Sequence, residues 1–264
     1  MKQAVDNKEI AGINYALVKD GEVAAFEAVG SQILGGSPMR DNTLFRIRST
    51  GKTITAVAMM QLWDQGKWRL DDPITKYLPE LANLKVATSP DNLDTLVPAS
   101  HIPTMHEVMT HTAGFSYGLR TDIAADRAYR AADVLRAKDM KTFVSQVASL
   151  PLANQPGERW YCSPRLVTAH TRNAIGAMRG VLGGPGYGFG YGGRVVVDGS
   201  TETTPQPNGA FSHFSIDGCW FWVDPTNKLS FVGLIARRGG GPVGGVTMGG
   251  EGDAARLVYR ALAK

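Results

Sequence analysis

The chain has 264 residues, of which 43% are apolar, and a formal net charge of +4 at pH 7. This length allows one large domain or two small ones with a sizeable core. Its basic residues are scattered and no apolar run approaches the roughly 18 residues of a membrane span, so we predict neither a nucleic-acid nor a membrane partner. The N-terminus lacks the apolar core of a signal peptide, which predicts a cytoplasmic protein, or a periplasmic one if a leader has been removed.

The first predicted elements are a hairpin and a helix. Apolar runs on either side of Asp20-Gly21 predict a β-hairpin over residues 13–30. A helix is then expected from Ser49 to near Gly66, because glycine commonly follows the last turn of a helix. Its apolar residues form one stripe that we expect to face the core. The stripe consists of Ile54, Val57, Ala58, Met59, Leu62 and Trp63.

Helices are predicted in the middle of the chain, and strands return near its end. Residues 104–111 and 122–149 are expected to be helical, and the glycine-aromatic run 183–193 is interpreted as a flexible turn. Four strands and a final helix over residues 251–263 follow. The predicted strands are 194–198, 211–215, 219–223 and 229–236.

This order predicts an α+β fold, an α/β sandwich in which one antiparallel sheet is built from N- and C-terminal strands and flanked by helices. We expect residues 1–72 and 185–264 to form the sheet domain. Residues 73–184 are expected to form a helical and loop subdomain that is reduced in size.

Ser49 and Lys52 are the strongest candidates for catalysis. They lie at positions i and i+3 of the predicted helix start and share a helix face, so the lysine amine can reach the serine oxygen. A serine hydroxyl is a weak nucleophile until a base takes its proton, and a lysine can be that base. The pair predicts acyl transfer with Ser49 as the nucleophile and Lys52 as the base.

Other patterns that suggest chemistry are interpreted as structural. The run 114–118 matches the G-x-S-x-G nucleophile elbow around Ser116, but that elbow needs a preceding strand where a helix is predicted here. His106-Glu107 and His111 miss the spacing of a zinc site. We therefore expect no metal and no other cofactor. Two cysteines do not make a disulfide framework.

Five motifs in one order give the chain a family resemblance. They are Phe45-Arg46-Ile47-Arg48-Ser49-Thr50-Gly51-Lys52, Leu70-Asp71-Asp72-Pro73-Ile74-Thr75-Lys76-Tyr77-Leu78-Pro79, Met109-Thr110-His111-Thr112-Ala113-Gly114, Gln155-Pro156-Gly157-Glu158-Arg159-Trp160 and Phe221-Trp222-Val223-Asp224-Pro225. The chain resembles serine hydrolases of the β-lactamase and penicillin-binding-protein type, and most closely the esterases of class C β-lactamase fold. The resemblance covers residues 10–170 and resumes at residue 185, with an apparent shortening between the second and third active-site motifs.

The resemblance implies roles for further residues. The family's second motif carries a tyrosine that shares the proton transfer, but this chain has Cys162 at that position and Tyr161 one residue before it. The family's third motif corresponds to His213-Phe214-Ser215-Ile216. By resemblance, the N–H groups of Ser49 and Ile216 form the oxyanion hole, while His213 and Ser215 bind substrate.

Together these roles imply a carboxylesterase that cleaves small esters through an acyl-enzyme on Ser49, with weak or no β-lactamase activity. The expected partner is a small ester, or a β-lactam. Uncovered apolar surface near residues 164–192, with Tyr187, Phe189 and Tyr191, could also support a homo-oligomer. Two alternatives remain open: a catalytically impaired binding protein of the same fold, and an α/β-hydrolase that uses Ser116.

Overall fold

A computed structural model describes residues 1–159, 186–199, 206–215, 217–235, 255–256 and 258–261. The described residues fall into two compact units. The first unit holds residues 1–57 and the described residues from 186 onward, and the second holds residues 58–159.

The described chain begins with a helix and a hairpin, is mostly helical in its middle and ends in a run of five strands before a final helical segment. The strands are β1 (Gly12–Lys19), β2 (Glu22–Gly30), β3 (Lys85–Ala87), β4 (Leu96–Pro98), β5 (Tyr187–Phe189), β6 (Arg194–Val196), β7 (Phe211–Phe214), β8 (Trp220–Asp224) and β9 (Leu229–Ile235). The α-helices are α1 (Lys2–Asp6), α2 (Thr50–Asp64), α3 (Met105–Met109), α4 (Ala124–Ala131) and α5 (Met140–Ser149), and short 3₁₀ helices cover Ile74–Lys76, Pro79–Asn83 and Val134–Arg136. Residues 255–256 and 258–261 are also helical and are called the C-terminal helical segment.

The first unit is built on a seven-stranded sheet with the order β2-β1-β9-β8-β7-β6-β5. Every neighbouring pair in it is antiparallel. β1 pairs with its hairpin partner on one side and with β9 on the other, so the N-terminal hairpin extends the C-terminal strands. This confirms the predicted α+β fold with one antiparallel sheet drawn from both termini.

One face of the sheet is covered by aromatic packing. Trp222 is fully buried, and its ring stacks on Phe231 at 6.0 Å and on Tyr259 of the C-terminal helical segment at 5.8 Å between centroids. Gly233 makes room for a further ring, because a Cβ at this position would lie 2.5 Å from the Trp220 side chain. Close aromatic packing therefore fixes the C-terminal helical segment on this face.

Helix α2 contradicts the predicted burial pattern. Its buried residues are Thr50, Thr53 and Ala56, while Ile54 is 64% exposed and Val57 is 49% exposed. The remainder of the predicted core stripe is partly or largely exposed: Ala58, Met59, Leu62 and Trp63. The spacing of the apolar residues predicts the helix correctly. The helix nevertheless packs through the side that carries its small residues, because small side chains permit close approach.

Two further predictions also need correction. The single helix predicted over residues 122–149 is divided into α4, a 3₁₀ turn and α5, because Asp133 adopts a left-handed conformation with φ 48° and Asp139 caps α5 by accepting the Thr142 N–H at 2.7 Å. The glycine-aromatic run is not merely a flexible turn, since it contains the edge strand β5. Phe189 within it is 1% exposed, so its ring is not available for the predicted self-association.

The second unit has its own hydrophobic core. The hairpin β3–β4 pairs Val86 with Val97, and Leu152 joins it through backbone hydrogen bonds to both sides of Val86. Leu152 is fully buried. The buried cluster comprises Ile74, Leu81, Leu84, Val86, Tyr129, Val134, Val147 and Leu152. No helix in the described part of the chain is long and apolar enough to cross a membrane.

Candidate active site

The start of helix α2 determines where Ser49 lies. Arg48 has a left-handed backbone with φ 45°, which is uncommon for a residue other than glycine. Its carbonyl accepts the Gly51 N–H at 2.9 Å, and the Ile47 carbonyl accepts the Thr50 N–H at 3.1 Å. The chain therefore turns sharply at Arg48 and enters the helix immediately after Ser49.

The structure brings Ser49 and Lys52 together. Lys52 Nζ donates a hydrogen bond to Ser49 Oγ at 2.9 Å. The Lys52 N–H also donates to the Ser49 carbonyl at 3.0 Å, so backbone and side-chain contacts fix the pair on the first turn. Within the described part of the chain, the Ser49 N–H has no backbone acceptor. This turn can thus supply a nucleophile, a base and one hydrogen-bond donor for an oxyanion.

The first turns of α2 pack against the sheet. Thr53 Oγ1 donates to the Gly192 carbonyl in the loop between β5 and β6. A groove of about 370 Å³ lies between the helix and strands β8 and β9. Its lining residues are Ile47, Thr50, Thr53, Ile54, Val57, Cys219, Trp220, Phe221, Val232 and Leu234. The start of α2 therefore packs beside β8 and β9, and β8 pairs directly with β7, the strand that carries the predicted third motif.

His213 and Ser215 lie at the end of β7. His213 is 5% exposed and pairs with Phe221, which lines the groove beside α2, so His213 is on the sheet face that α2 covers. Its Nδ1 lies 2.7 Å from the Phe214 carbonyl oxygen, which can only accept, so Nδ1 carries a proton. Ser215 is fully buried, and its N–H donates to the Cys219 carbonyl at 2.7 Å. That N–H is therefore already used within the turn.

Three of the predicted site residues lie outside the described residues: Tyr161, Cys162 and Ile216. The roles implied for them stay predictions. Cys219, the other cysteine, is fully buried, and burial raises the pKa of its thiol. An inert, structural thiol is expected in such surroundings.

An ion pair beside Ser49 was not found from the sequence. Arg48 Nε donates to Asp217 Oδ2 at 2.7 Å, and Asp217 belongs to the turn between β7 and β8. A second contact links the same two segments, since Cys219 Sγ lies 3.9 Å from the Arg46 carbonyl oxygen. The partners are 169 positions apart in the sequence, so no local pattern could have indicated the pair.

Ser116 has a structural environment in the second unit. It lies in the loop between α3 and α4, where its hydroxyl donates to Asp126 Oδ1 at 2.7 Å. The same carboxylate oxygen accepts the Leu119 N–H at 2.9 Å. The element that precedes Ser116 is the helix α3, so the strand-turn-helix geometry of a nucleophile elbow is absent around this residue. The Asp126 carboxylate thus links Ser116 and Leu119 and stabilises the loop that contains them.

Glu107 also serves the local structure. It forms a capping box with Thr104 at the start of α3, accepting the Thr104 N–H at 2.8 Å, and its other oxygen lies 2.8 Å from His101 Nε2. The spacing Thr104-x-x-Glu107 is a sequence signal for this cap that we did not use. Among the described residues, no group of three or more His, Cys, Asp or Glu side chains could hold a metal ion.

An antiparallel sheet with a Ser-Lys pair on the first turn of a helix packed against it defines a protein of β-lactamase/transpeptidase-like fold. A family model described as Beta-lactamase matches residues 1–169. The chain therefore belongs to the β-lactamase family.

The chain is also similar to individual known proteins. Esterase EstB of Burkholderia gladioli is 32% identical over 167 residues, covering 61% of this chain and 40% of EstB. Protein Rv1367c of Mycobacterium tuberculosis is 39% identical over 127 residues, covering 47% of this chain and 31% of that protein. The chain thus spans less than half the length of these relatives. The solved structure of EstCE1, a hydrolase with promiscuous acyltransferase activity, covers 97% of this chain and 96% of its own, with a TM-score of 0.74 at 18% identity.

Proposed function

We propose that this protein is a serine carboxylesterase that cleaves small esters through an acyl-enzyme on Ser49, with weak or no activity on β-lactams. The 2.9 Å hydrogen bond from Lys52 Nζ to Ser49 Oγ carries the proposal, because it joins a nucleophile to a base. Membership of the β-lactamase family and the esterase name of the relative EstB support the reaction class.

The proposed reaction has two halves. Ser49 Oγ attacks the ester carbonyl carbon while its proton passes to Lys52, and the carbonyl oxygen becomes an oxyanion. The N–H groups of Ser49 and Ile216 donate to that oxyanion, and one such donor typically contributes about 3 kcal/mol to transition-state stabilisation. Protonated Lys52 then gives the proton to the leaving alcohol, and water hydrolyses the acyl-enzyme by the same steps in reverse.

The remaining site residues set how fast this chemistry runs. We assign His213 and Ser215 to the substrate-facing end of β7, because His213 shares the sheet face covered by α2. Cys162 takes the position of the family's tyrosine. Its shorter side chain favours a second candidate function, a catalytically impaired protein that binds esters or related ligands without turnover.

Labelling at Ser49 tests the proposal. The protein is assayed with p-nitrophenyl acetate and butyrate and treated with a fluorophosphonate, and the modified peptide is mapped by mass spectrometry. We expect label on Ser49 and loss of essentially all hydrolysis in Ser49→Ala, with Ser116→Ala as the matched control that keeps activity. Label on Ser116 supports the elbow, and no label together with no turnover supports the binding protein.

Lys52 is tested separately as the base. Lys52→Ala should cost nearly as much activity as Ser49→Ala, because residues that act as one unit lose most of their rate with either member. In the wild type, kcat/KM should rise with pH as the free enzyme's Lys52 loses its proton. A flat profile between pH 5 and 9, or an active Lys52→Ala variant, would assign the proton transfer to another group.

A further inference from the structure

The Arg48–Asp217 ion pair joins the two segments that carry the proposed oxyanion donors. Arg48 directly precedes Ser49, and Asp217 directly follows Ile216. The pair is short, with Arg48 Nε 2.7 Å from Asp217 Oδ2, and it spans 169 positions of sequence within the first unit. Each proposed donor therefore belongs to a residue that is adjacent in sequence to one member of the ion pair.

The backbone on the Arg48 side is held in an unusual conformation. A left-handed φ of 45° places the Arg48 carbonyl where it accepts the Gly51 N–H. The same peptide unit contains the Ser49 N–H, so the orientation of that donor depends on the turn at Arg48. The ion pair that the Arg48 side chain makes with Asp217 restrains this turn.

Two hydrogen bonds to Ser215 close the turn that carries Asp217. Ser215 accepts the Gly218 N–H on its carbonyl at 3.0 Å and the Cys219 N–H on its hydroxyl at 3.1 Å. The Asp217 side chain is only 14% exposed, whereas that of Arg48 is 53% exposed. The carboxylate is thus the fixed partner, and the guanidinium reaches it from the helix start.

From this arrangement we propose that Arg48 and Asp217 are positioning residues that hold the Ser49 N–H, a proposed oxyanion donor, in place relative to the β7–β8 turn. The inference rests on the proposed function, since it assumes that Ser49 is acylated. The ion pair touches no reacting atom. It acts by holding the start of α2, and with it the Ser49 N–H, against the β7–β8 turn. A small misplacement of such donors has a large effect on rate.

The experiment compares Asp217→Asn with wild type in three measurements. These are kcat and KM for p-nitrophenyl butyrate, the affinity of phenylboronic acid, and the melting temperature. The boronate forms a tetrahedral adduct on an active serine and so reports on the oxyanion hole. We expect kcat and boronate affinity to fall together by about tenfold and KM to stay within about twofold. Melting should change little, because the Arg48 side chain is 53% exposed and an ion pair with a solvent-exposed partner contributes little stability.

Two further variants serve as controls. Asp20→Asn breaks the Lys19–Asp20 ion pair, which is also half-exposed and lies at the opposite end of the sheet, and it should leave kcat within about twofold. Arg48→Asp combined with Asp217→Arg restores an ion pair of opposite polarity, and aspartate tolerates the left-handed conformation. We expect this exchange to recover kcat to within about threefold of wild type, while each single change does not.

The outcomes separate this inference from the proposed function. If wild type turns over esters through Ser49 but Asp217→Asn keeps its kcat and boronate affinity, the positioning role is wrong and the esterase stands. A loss in Asp217→Asn that the charge exchange fails to recover would also overturn it. If wild type shows no Ser49-dependent turnover or label, the proposed function fails and this inference fails with it.

Discussion

Cys162 is the residue that, by the family resemblance, stands where a tyrosine is expected. A thiol ends closer to the backbone than a tyrosine hydroxyl, so the resemblance implies a proton held farther from Ser49 and from the leaving group. A thiol also ordinarily titrates near pH 8.5, below a phenol. A slow esterase is the expected result.

Restoring the phenol should therefore increase the rate. We expect Cys162→Tyr to raise kcat toward p-nitrophenyl esters by roughly tenfold or more, because one positioned acid-base group commonly supplies about 10²- to 10⁴-fold. Tyr161→Phe is the control, and it should have little effect. A folded Cys162→Tyr variant that is no faster would show that the missing phenol does not limit the reaction, and a large loss in Tyr161→Phe would assign the role to Tyr161.

For individual residues, the sequence predicts those contacts that depend on local spacing along the chain. Ser49 and Lys52 could be paired because residues i and i+3 of a helix are neighbours whatever the rest of the chain does. Arg48 and Asp217 could not be paired, since their contact depends on how β7, β8 and the start of α2 assemble. The left-handed backbone at Arg48 was equally hidden, because nothing in an arginine side chain favours it.

Among the elements, α2 shows the limit of reading a helix from its pattern. The period of the apolar residues predicts a helix correctly, but it does not determine which side the tertiary structure covers. Here Thr53 uses its hydroxyl to reach the Gly192 carbonyl, and the small Ala56 permits close contact. Ile54 and Val57 are left largely exposed.

Matched substitutions on α2 test this orientation. Ile54, at 64% exposure, should accept glutamine with a change in unfolding free energy within about 0.5 kcal/mol, as is usual for surface sites. Ala56, at 5% exposure, should lose about 1 to 3 kcal/mol on the same change, because a larger side chain does not fit. Urea denaturation measures both. Equal costs at the two positions would contradict this orientation, and a larger cost at Ile54 would mean that the helix faces the other way.

Asp72 makes the second unit sensitive to acid. Its carboxylate accepts from Lys76 Nζ at 2.8 Å, from the Tyr77 hydroxyl at 2.5 Å and from the Arg69 N–H at 2.8 Å. These hydrogen bonds, with Lys76 the largest influence, lower the pKa of Asp72 from 3.8 to about 2. Because the folded pKa is depressed, the stabilisation is fully present above about pH 4 and is lost as the pH falls toward 2.

Melting temperatures across that range check the sign. Asp72→Asn should melt lower than wild type at pH 7, and the difference should shrink between pH 4 and pH 2. The neighbouring Asp71→Asn is the matched control, since the Asp71 side chain is 76% exposed and its ion pair with Arg69 is weakly stabilising at best. A gap between wild type and Asp72→Asn that is constant with pH would contradict the linkage.

The broken helical stretch in residues 122–149 illustrates a weaker signal that was present but unused. Aspartate competes with the helix backbone through its own side chain and is favoured at N-caps. Asp139 caps α5 in this way, and Asp133 is the left-handed residue between α4 and the 3₁₀ turn Val134–Arg136. The alanine-rich composition outweighed these two breaks in the prediction.

Across the whole molecule, the architecture was the most predictable property. Turn residues such as Asp20-Gly21 and Asp224-Pro225 separate the strands plainly, and strands at both ends of the chain leave few ways to form one sheet. The register and the strand order needed tertiary information. So did the docking of the C-terminal helical segment, where Tyr259 donates to the fully buried Asp224 and stacks on Trp222.

That docking contact should stabilise the entire first unit. Tyr259→Phe keeps the ring on Trp222 but removes its hydrogen bond to Asp224, which among the described residues still accepts two hydrogen bonds from Asn227. We expect a loss of about 1 to 3 kcal/mol in the free energy of unfolding, the cost of leaving a buried acceptor short of a donor. Tyr259→Leu, which also removes the stacking, should lose more. Equal stability of Tyr259→Phe and wild type would show that the hydrogen bond is dispensable.

The position of β1 beside β9 also governs when the proposed active site can assemble during synthesis. β1 ends at Lys19 and its partner begins at Leu229, so the sheet cannot be completed until β9 has been translated. At typical translation rates that interval is on the order of 10 to 40 seconds. Throughout it the Ser49 segment lacks the β8–β9 surface that supports it. A ribosome-bound chain arrested before β9 should therefore expose its N-terminal hairpin to chaperones and carry no reactive serine.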